Sequence, residues 1–204
     1  MIESKDLKCE NIFNIENCTI SKGDVFLVDT NIWFWLTYQN ASSARGYKPE
    51  KVQKYTTFMN EVMNQGAKLH ASLITYTEIM NIVERTEFDV FNNIQQQENK
   101  KKIPKKEFRR NSRLRKDTTL IIKNVIEQID SLTESKDFVQ ILDYIDIKKL
   151  SIGLENSVLD PSDIVNGYLA KENNVINIIS DDSDFYSLEG INLYTANPEV
   201  INAL

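Results

Sequence analysis

The sequence predicts an α/β fold: a central parallel sheet flanked by helices, with an elaborated helical section. Three observations carry that expectation. Short apolar runs alternate along the chain with stripes of helical spacing, as right-handed βαβ units require. The first strong run, Asp24-Val-Phe-Leu-Val-Asp29, is apolar on both faces, as a buried parallel strand is. Helix-capping residues follow directly on the runs, Thr30-Asn31 after the first and Thr75 after the second.

In chain order, a short strand is expected within Asn11 to Ile20, then the strand ending at Asp29, with a helix opening at once through Ile32-Trp33-Phe34-Trp35-Leu36. Val52, Tyr55, Phe58, Met59, Val62 and Met63 form a helical stripe over Lys51 to Gln65, and Gly66 suits its C-terminal stop. Lys68 to Ile74 reads as a second strong strand. The helix after it is capped by Thr75, carries Ile79, Ile82 and Val83 inward, and has Glu78 in its first turn. Asn92 to Lys102 is polar and reads as a helix end or loop, and Pro104 opens the next helix. Two more helical patterns follow, Leu120 to Leu132 and Phe138 to Ile147. Asp160-Pro161-Ser162-Asp163 starts another helix. Val175 to Ile179 is a strand, and Ile191 to Tyr194 is a short strand expected at the sheet edge. The chain divides into a polar N-terminal extension, 1–23, and one α/β domain, 24–204, in which 92–150 is a basic helical elaboration.

The scarce residues exclude whole chemistries. The 204-residue chain has one histidine, His70, and two cysteines, Cys9 and Cys18. A two-histidine metal site and a four-ligand zinc cluster are therefore ruled out. Six scattered glycines form neither G-x-G-x-x-G nor a G-x-x-x-x-G-K phosphate loop. His70, among apolar neighbours, reads as a packed residue. No signal-like or membrane-spanning apolar run occurs, so a soluble cytoplasmic protein with free thiols is expected.

Charge is unevenly spread. Residues 100–116, KKKIPKKEFRRNSRLRK, hold ten basic residues and one acid, so +9, and the remaining chain carries −15 to give the total of −6. Such a run points to a polyanion, with Lys105, Lys106, Arg109, Arg110, Arg113 and Arg115 as candidate nucleic-acid contacts. A solvated helix face, or an acidic partner protein, would account for it equally. With only Phe108 interleaved, phosphate contact is favoured over base stacking.

Acids fall where such a fold builds sites. Asp29 ends a strand, Glu78 follows the next, Asp163 starts a helix, and Asp182 follows a later strand with Asp181 and Asp184 beside it. Ligands of open α/β sheets bind beyond the carboxyl ends of the strands. Carboxylates gathered in one cleft need a cation or a raised pKa. A hard divalent ion suits them and equips a site for phosphodiester hydrolysis. Each acid also has a plain reading. Asp163 is a helix cap, Glu78 a first-turn acid favoured by the helix dipole, and the 181–184 acids are turn residues. Asp29, closing an apolar run, is the hardest to explain that way.

Val28-Asp29-Thr30-Asn31, Glu78 after a Leu-Ile-Thr strand end, Asp163, and Ile179-Ser180-Asp181-Asp182-Ser183-Asp184-Phe185 together resemble the PIN domain over roughly residues 24–204. The resemblance implies a PIN-like parallel sheet and a metal-dependent endoribonuclease using Mg²⁺ or Mn²⁺. It implies RNA as substrate and, in the VapC-like branch, the toxin half of a toxin–antitoxin pair. Asp29, Glu78, Asp163 and Asp182 would then be the catalytic, metal-holding quartet, Asp184 a fifth ligand, and Thr30, Asn31 and Ser180 polar supports. Whether Asp181 or Asp182 takes the ligand position stays open, as does a homo-oligomer. A haloacid-dehalogenase-type phosphatase needs a second Asp two residues after the first, and that position is Asn31. The alternative from another class is an inactive PIN-type module that binds RNA or a protein partner such as an antitoxin.

Overall fold

The computed structural model describes residues 2–44, 46–134 and 147–204. Five short strands form one sheet: β1 (Asn11–Asn14), β2 (Val25–Val28), β3 (Lys68–His70), β4 (Asn177–Ile179) and β5 (Asn192–Thr195). Their spatial order is β1-β5-β4-β2-β3 and every pairing is parallel. The α/β expectation therefore holds at the level of a parallel sheet flanked by helices. β5, expected at the edge, lies inside, because β1 from the polar N-terminal segment pairs outside it from Asn11↔Asn192 to Asn14↔Thr195.

The chain moves from β2 outward to β3, then crosses back so that β4 pairs β2 on its other side. The direction of winding thus reverses between β2 and β4. Their carboxyl ends open the crevice that such a switch point creates.

Eight helices are described: α1 (Thr30–Thr37), α2 (Pro49–Asn64), α3 (Leu73–Gln97), α4 (Lys105–Arg110), α5 (Ser112–Leu132), α6 (Ile147–Asn156), α7 (Pro161–Glu172) and α8 (Pro198–Ile201). Side chains alternate across the sheet with period two. Phe26, Val28, Ile179 and Tyr194 meet Ile32, Phe58, Val62, Ile79 and Ile129 on one face. Leu27, Ile178 and Leu193 meet Ile164, Leu169 and Phe185 on the other. Both faces are covered, which explains why β2 reads as an unbroken apolar run.

Some boundaries differ from expectation. β3 stops at His70 and the next helix begins at Leu73. Its cap is Ser72, whose Oγ accepts from the Thr75 amide at 3.1 Å, so Leu73 and Ile74 are helical and Glu78 stands in the second turn. The same helix runs on through Asn92 to Gln97, so the segment expected as a helix end or loop is helix end to Gln97 and loop beyond it. The polar Gln-rich turn is an acceptable helix former, and the stop comes at Asn99 with a left-handed φ of 57°. Gly66, at φ 73°, ends α2 as expected. The pattern expected over Phe138 to Ile147 lies outside the described residues except for its last position.

Candidate functional site

The site grows from the ends of β2 and β4. The Asp29 amide donates to Ile179 O at 2.9 Å, carrying the β2–β4 ladder one residue past the strands. That contact brings Asp29 beside Ser180. Ser180, fully buried, donates its hydroxyl to Asp29 Oδ2 at 2.8 Å and accepts from the Asp182 amide at 3.0 Å. One hydroxyl therefore ties the two strand ends together. The other Asp29 oxygen accepts from the Thr30 amide at 2.6 Å, at the start of α1.

Glu78 reaches the same cleft from α3. Its carboxylate accepts from Thr30 Oγ1 on one oxygen and from Ser162 Oγ on the other. Asp163 arrives on α7. The capping role is taken by Asp160, whose Oδ1 accepts from the amides of Ser162 at 2.8 Å and Asp163 at 3.0 Å. With Asp160 serving the helix end, the plain reading of Asp163 as a cap falls away, and its carboxyl faces the cleft. Ser72, the cap of α3, donates its Oγ to Asn166 Oδ1 in the second turn of α7, both residues being buried, and so ties the two helices together. This clasp sets the spacing between Glu78 and Asp163.

The cleft has a volume of 550 Å³ and is lined by Asp29, Glu78, Asp160, Asp163 and Asp182, together with Thr30, Asn31, Asn81, Ile82, Arg85 and Lys105. All four acids of the expected quartet line it. Asp184 does not line it; its carboxyl is raised by burial and by the charges of Asp182 and Asp160. Asp181, the rival of Asp182, turns away. It pairs with Lys51 and accepts from Tyr55 Oη at 3.1 Å, while its backbone oxygen accepts from Asn197 Nδ2 at 2.7 Å. The 180–182 loop is thereby pinned with Asp182 on the cleft side.

The electrostatics follow from burial. Asp29 is 6% exposed and Asp163 8%. Loss of solvent pushes the Asp29 carboxyl up to about 7, with Asp182 and Glu78 adding to the rise against the hydrogen bonds from Ser180 and Thr30. Burial raises Asp163 to about 9, reinforced by Asp29, Asp160, Glu78 and Asp182. The cleft holds more negative charge than it can solvate, the condition that a cation or a proton relieves.

The donor chemistry fits a hard divalent ion, since every candidate ligand is a carboxylate oxygen. The side chains as oriented do not close around one. Among the described residues, no three His, Cys, Asp or Glu groups are grouped to hold a metal. Glu78 is engaged by Thr30 and Ser162, and Asp29 by Ser180 and Thr30. Ligation would compete with those hydroxyl and amide bonds for the same oxygens.

The basic run docks on α3. Glu84, buried with 6% of its side chain exposed, accepts from Arg109 Nε at 2.9 Å and from Arg115 Nη1 at 2.8 Å, and Lys105 lies 3.3 Å away. Hydrogen bonding from Arg109 leads the causes that lower the Glu84 carboxyl to about 2. Arg113 stands 3.9 Å from Asp117, while Lys106 and Arg110 are exposed. Of the six expected contacts, Lys105 alone lines the cleft. Sequence reasoning missed Asp160, Asn81 and Arg85 there. Arg85 was detectable: it stands seven residues after Glu78, with Asn81 and Ile82 between at helical spacing, so all four share a face of α3. Among the described residues, no helix is long and apolar enough to cross a membrane. No family model, no curated protein and no solved structure matches the chain.

Proposed function

We propose that the chain is a PIN-type, metal-dependent endoribonuclease hydrolysing RNA phosphodiester bonds. The observation that carries this reading is the meeting of Asp29, Glu78, Asp163 and Asp182 in one cleft at the β2/β4 switch point, although 49, 85 and 19 residues separate them in turn. Asp29, Glu78, Asp163 and Asp182 would hold Mg²⁺ or Mn²⁺. The ion, when bound, supplies an activated water and steadies charge on the scissile phosphate. Thr30, Ser162 and Ser180 orient the carboxylates, and Asn31 and Asn81 offer amides to substrate at the rim.

A second reading, a non-catalytic module binding RNA or a protein such as an antitoxin, is favoured by one observation. Asp29 and Glu78 are held by hydroxyls, and among the described residues no three such groups are gathered for an ion. Cleavage of labelled single-stranded and structured RNA, with and without Mg²⁺ or Mn²⁺, separates the two. The nuclease reading expects metal-dependent cleavage by the wild type that is abolished in Asp29→Asn. Equal cleavage by both proteins, or no cleavage by either, refutes it. The toxin role adds a growth arrest on expression that Asp29→Asn relieves.

A further inference from the structure

A second, larger space of 950 Å³ runs on from the acidic cleft, and the two share Asn31, Ile82, Arg85 and Lys105 as walls. The two spaces adjoin at these four residues. The far part carries four cations, Lys51, Arg85, Lys102 and Lys105, against two acids, Asp89 and Asp181, and Asp181 is already paired with Lys51. The carboxylates of the cleft are thus followed by a track of cations, Arg85 and Lys105 at the junction and then Lys102, with Asp89 on the same lining and Lys51 held by Asp181.

The track is built rather than incidental. The loop bearing Lys102 is clasped to α3 through the buried Asn92, whose side-chain amide donates to Ile103 O at 3.2 Å and accepts from Ile103 N at 3.0 Å. Lys105 is drawn to the same helix by Glu84. Arg85 differs from both. It is exposed, it stands where cleft and track meet, and among the described residues no carboxylate lies within ion-pair distance of it.

The far part alone reaches the top of the ~300–1,000 Å³ range typical of small-ligand pockets, and the cleft extends it further. An elongated occupant is indicated. A phosphodiester backbone, charged at every residue, suits a lining whose cations run from Arg85 and Lys105 to Lys102 and that ends on acids.

We propose that Arg85 is the phosphate-binding residue at the mouth of the cleft, and that a polynucleotide strand runs from it along the track towards Lys102. This rests on the nuclease reading for its polarity only, since a binding module would use the same track.

The test is fluorescence anisotropy on the full chain in EDTA, with a labelled octanucleotide, and with an unlabelled trinucleotide as its competitor, over a range of salt. For single strands each phosphate neutralised contributes about 0.7 to the slope of log affinity against log salt, so Arg85→Gln lowers the slope by about 0.7 and weakens octamer binding about fivefold at about 0.1 M salt. Arg85→Lys restores the slope, which a merely structural role would not do. Lys102→Gln weakens the octamer and leaves the trinucleotide unchanged. Lys123→Gln on α5 changes neither.

An unchanged slope in Arg85→Gln, equal effects of Lys102→Gln on both lengths, or no octamer binding at any salt overturns the proposal. Ribo- and deoxyribo-octamers are run side by side to identify the backbone. Loss of cleavage in Asp29→Asn with an unaltered Arg85→Gln slope refutes the track alone. A lowered slope in a protein that cleaves nothing refutes the nuclease reading alone.

Discussion

Replacing Asp163 by Asn should stabilise the metal-free protein, and the gain should grow with pH. Asp163 is 8% exposed and its carboxyl is raised from 3.8 to about 9 by burial and by four neighbouring acids. Between those values the folded state holds a proton that the unfolded chain has released. Folding is then progressively penalised as pH rises, at up to about 1.4 kcal/mol per pH unit. The stability is fully present below pH 3.8 and is lost towards pH 9. Asn has nearly the same shape and no proton to lose. At pH 7 the upper limit on its advantage is about 4 kcal/mol, and at pH 5 between 1 and 2 kcal/mol by the same relation. Asp29 shares the field, so about 2–3 kcal/mol is expected at pH 7, roughly 4–12 °C in Tm for a chain of this size. Urea unfolding of both proteins in EDTA at pH 5, 6, 7 and 8 measures it. Added Mg²⁺ should close or invert the gap, because a bound cation stabilises the wild-type acids and not the amide. A variant less stable than wild type at pH 7, or a difference that does not change with pH, would refute the assignment of Asp163 as a buried, uncompensated acid.

Two further outcomes follow from the packing. Glu84→Gln should destabilise the fold by about 1–2 kcal/mol in chemical denaturation, modest because the cationic ends of Arg109 and Arg115 are half exposed. Since the Glu84 carboxyl lies below its ordinary value, that contribution is present above pH 4.5 and disappears towards pH 2, and a constant difference across that window would contradict it. Gly167→Val should lower Tm and impair the proposed RNA cleavage together. Even a Cβ at 167 would sit 2.3 Å from Leu188 Cδ2, so α7, which carries Asp163, must move or Leu188 must repack. An unchanged Tm would show that the contact yields freely.

Much of the architecture was legible because it is local. Parallel strands covered on both faces must read as apolar runs, and Val25 to Val28 does. The helical stripe of α2 and its glycine stop needed nothing beyond periodicity and backbone sterics. The misjudged boundaries have local causes that compete. Ser72 and Thr75 are both good caps three residues apart, and only the Ser72–Asn166 bond to α7 decides between them. The place of β5 could not be read from its own residues, because an edge strand becomes an inner one only when another segment pairs with it. Nor could the choice of Asp182 over Asp181, which depends on Lys51 and Tyr55 drawing Asp181 aside.

By itself the sequence determined the chemistry on offer: carboxylates and cations, one histidine, no glycine cradle, and a +9 segment on a −15 body. It also determined that the acids would sit at strand ends and early helix turns, since strand and helix periodicities place them there. Only the tertiary structure decided which acids meet, because Asp29 and Asp182 become neighbours through the β2–β4 pairing, and Glu78 and Asp163 through the clasp between α3 and α7. It also decided where the basic segment's charge goes. Buried Glu84 draws Lys105, Arg109 and Arg115 to itself, so that of the basic segment Lys102 and Lys105 line the groove, beside Arg85 from α3, since a desolvated carboxylate demands partners more strongly than an exposed guanidinium demands solvent.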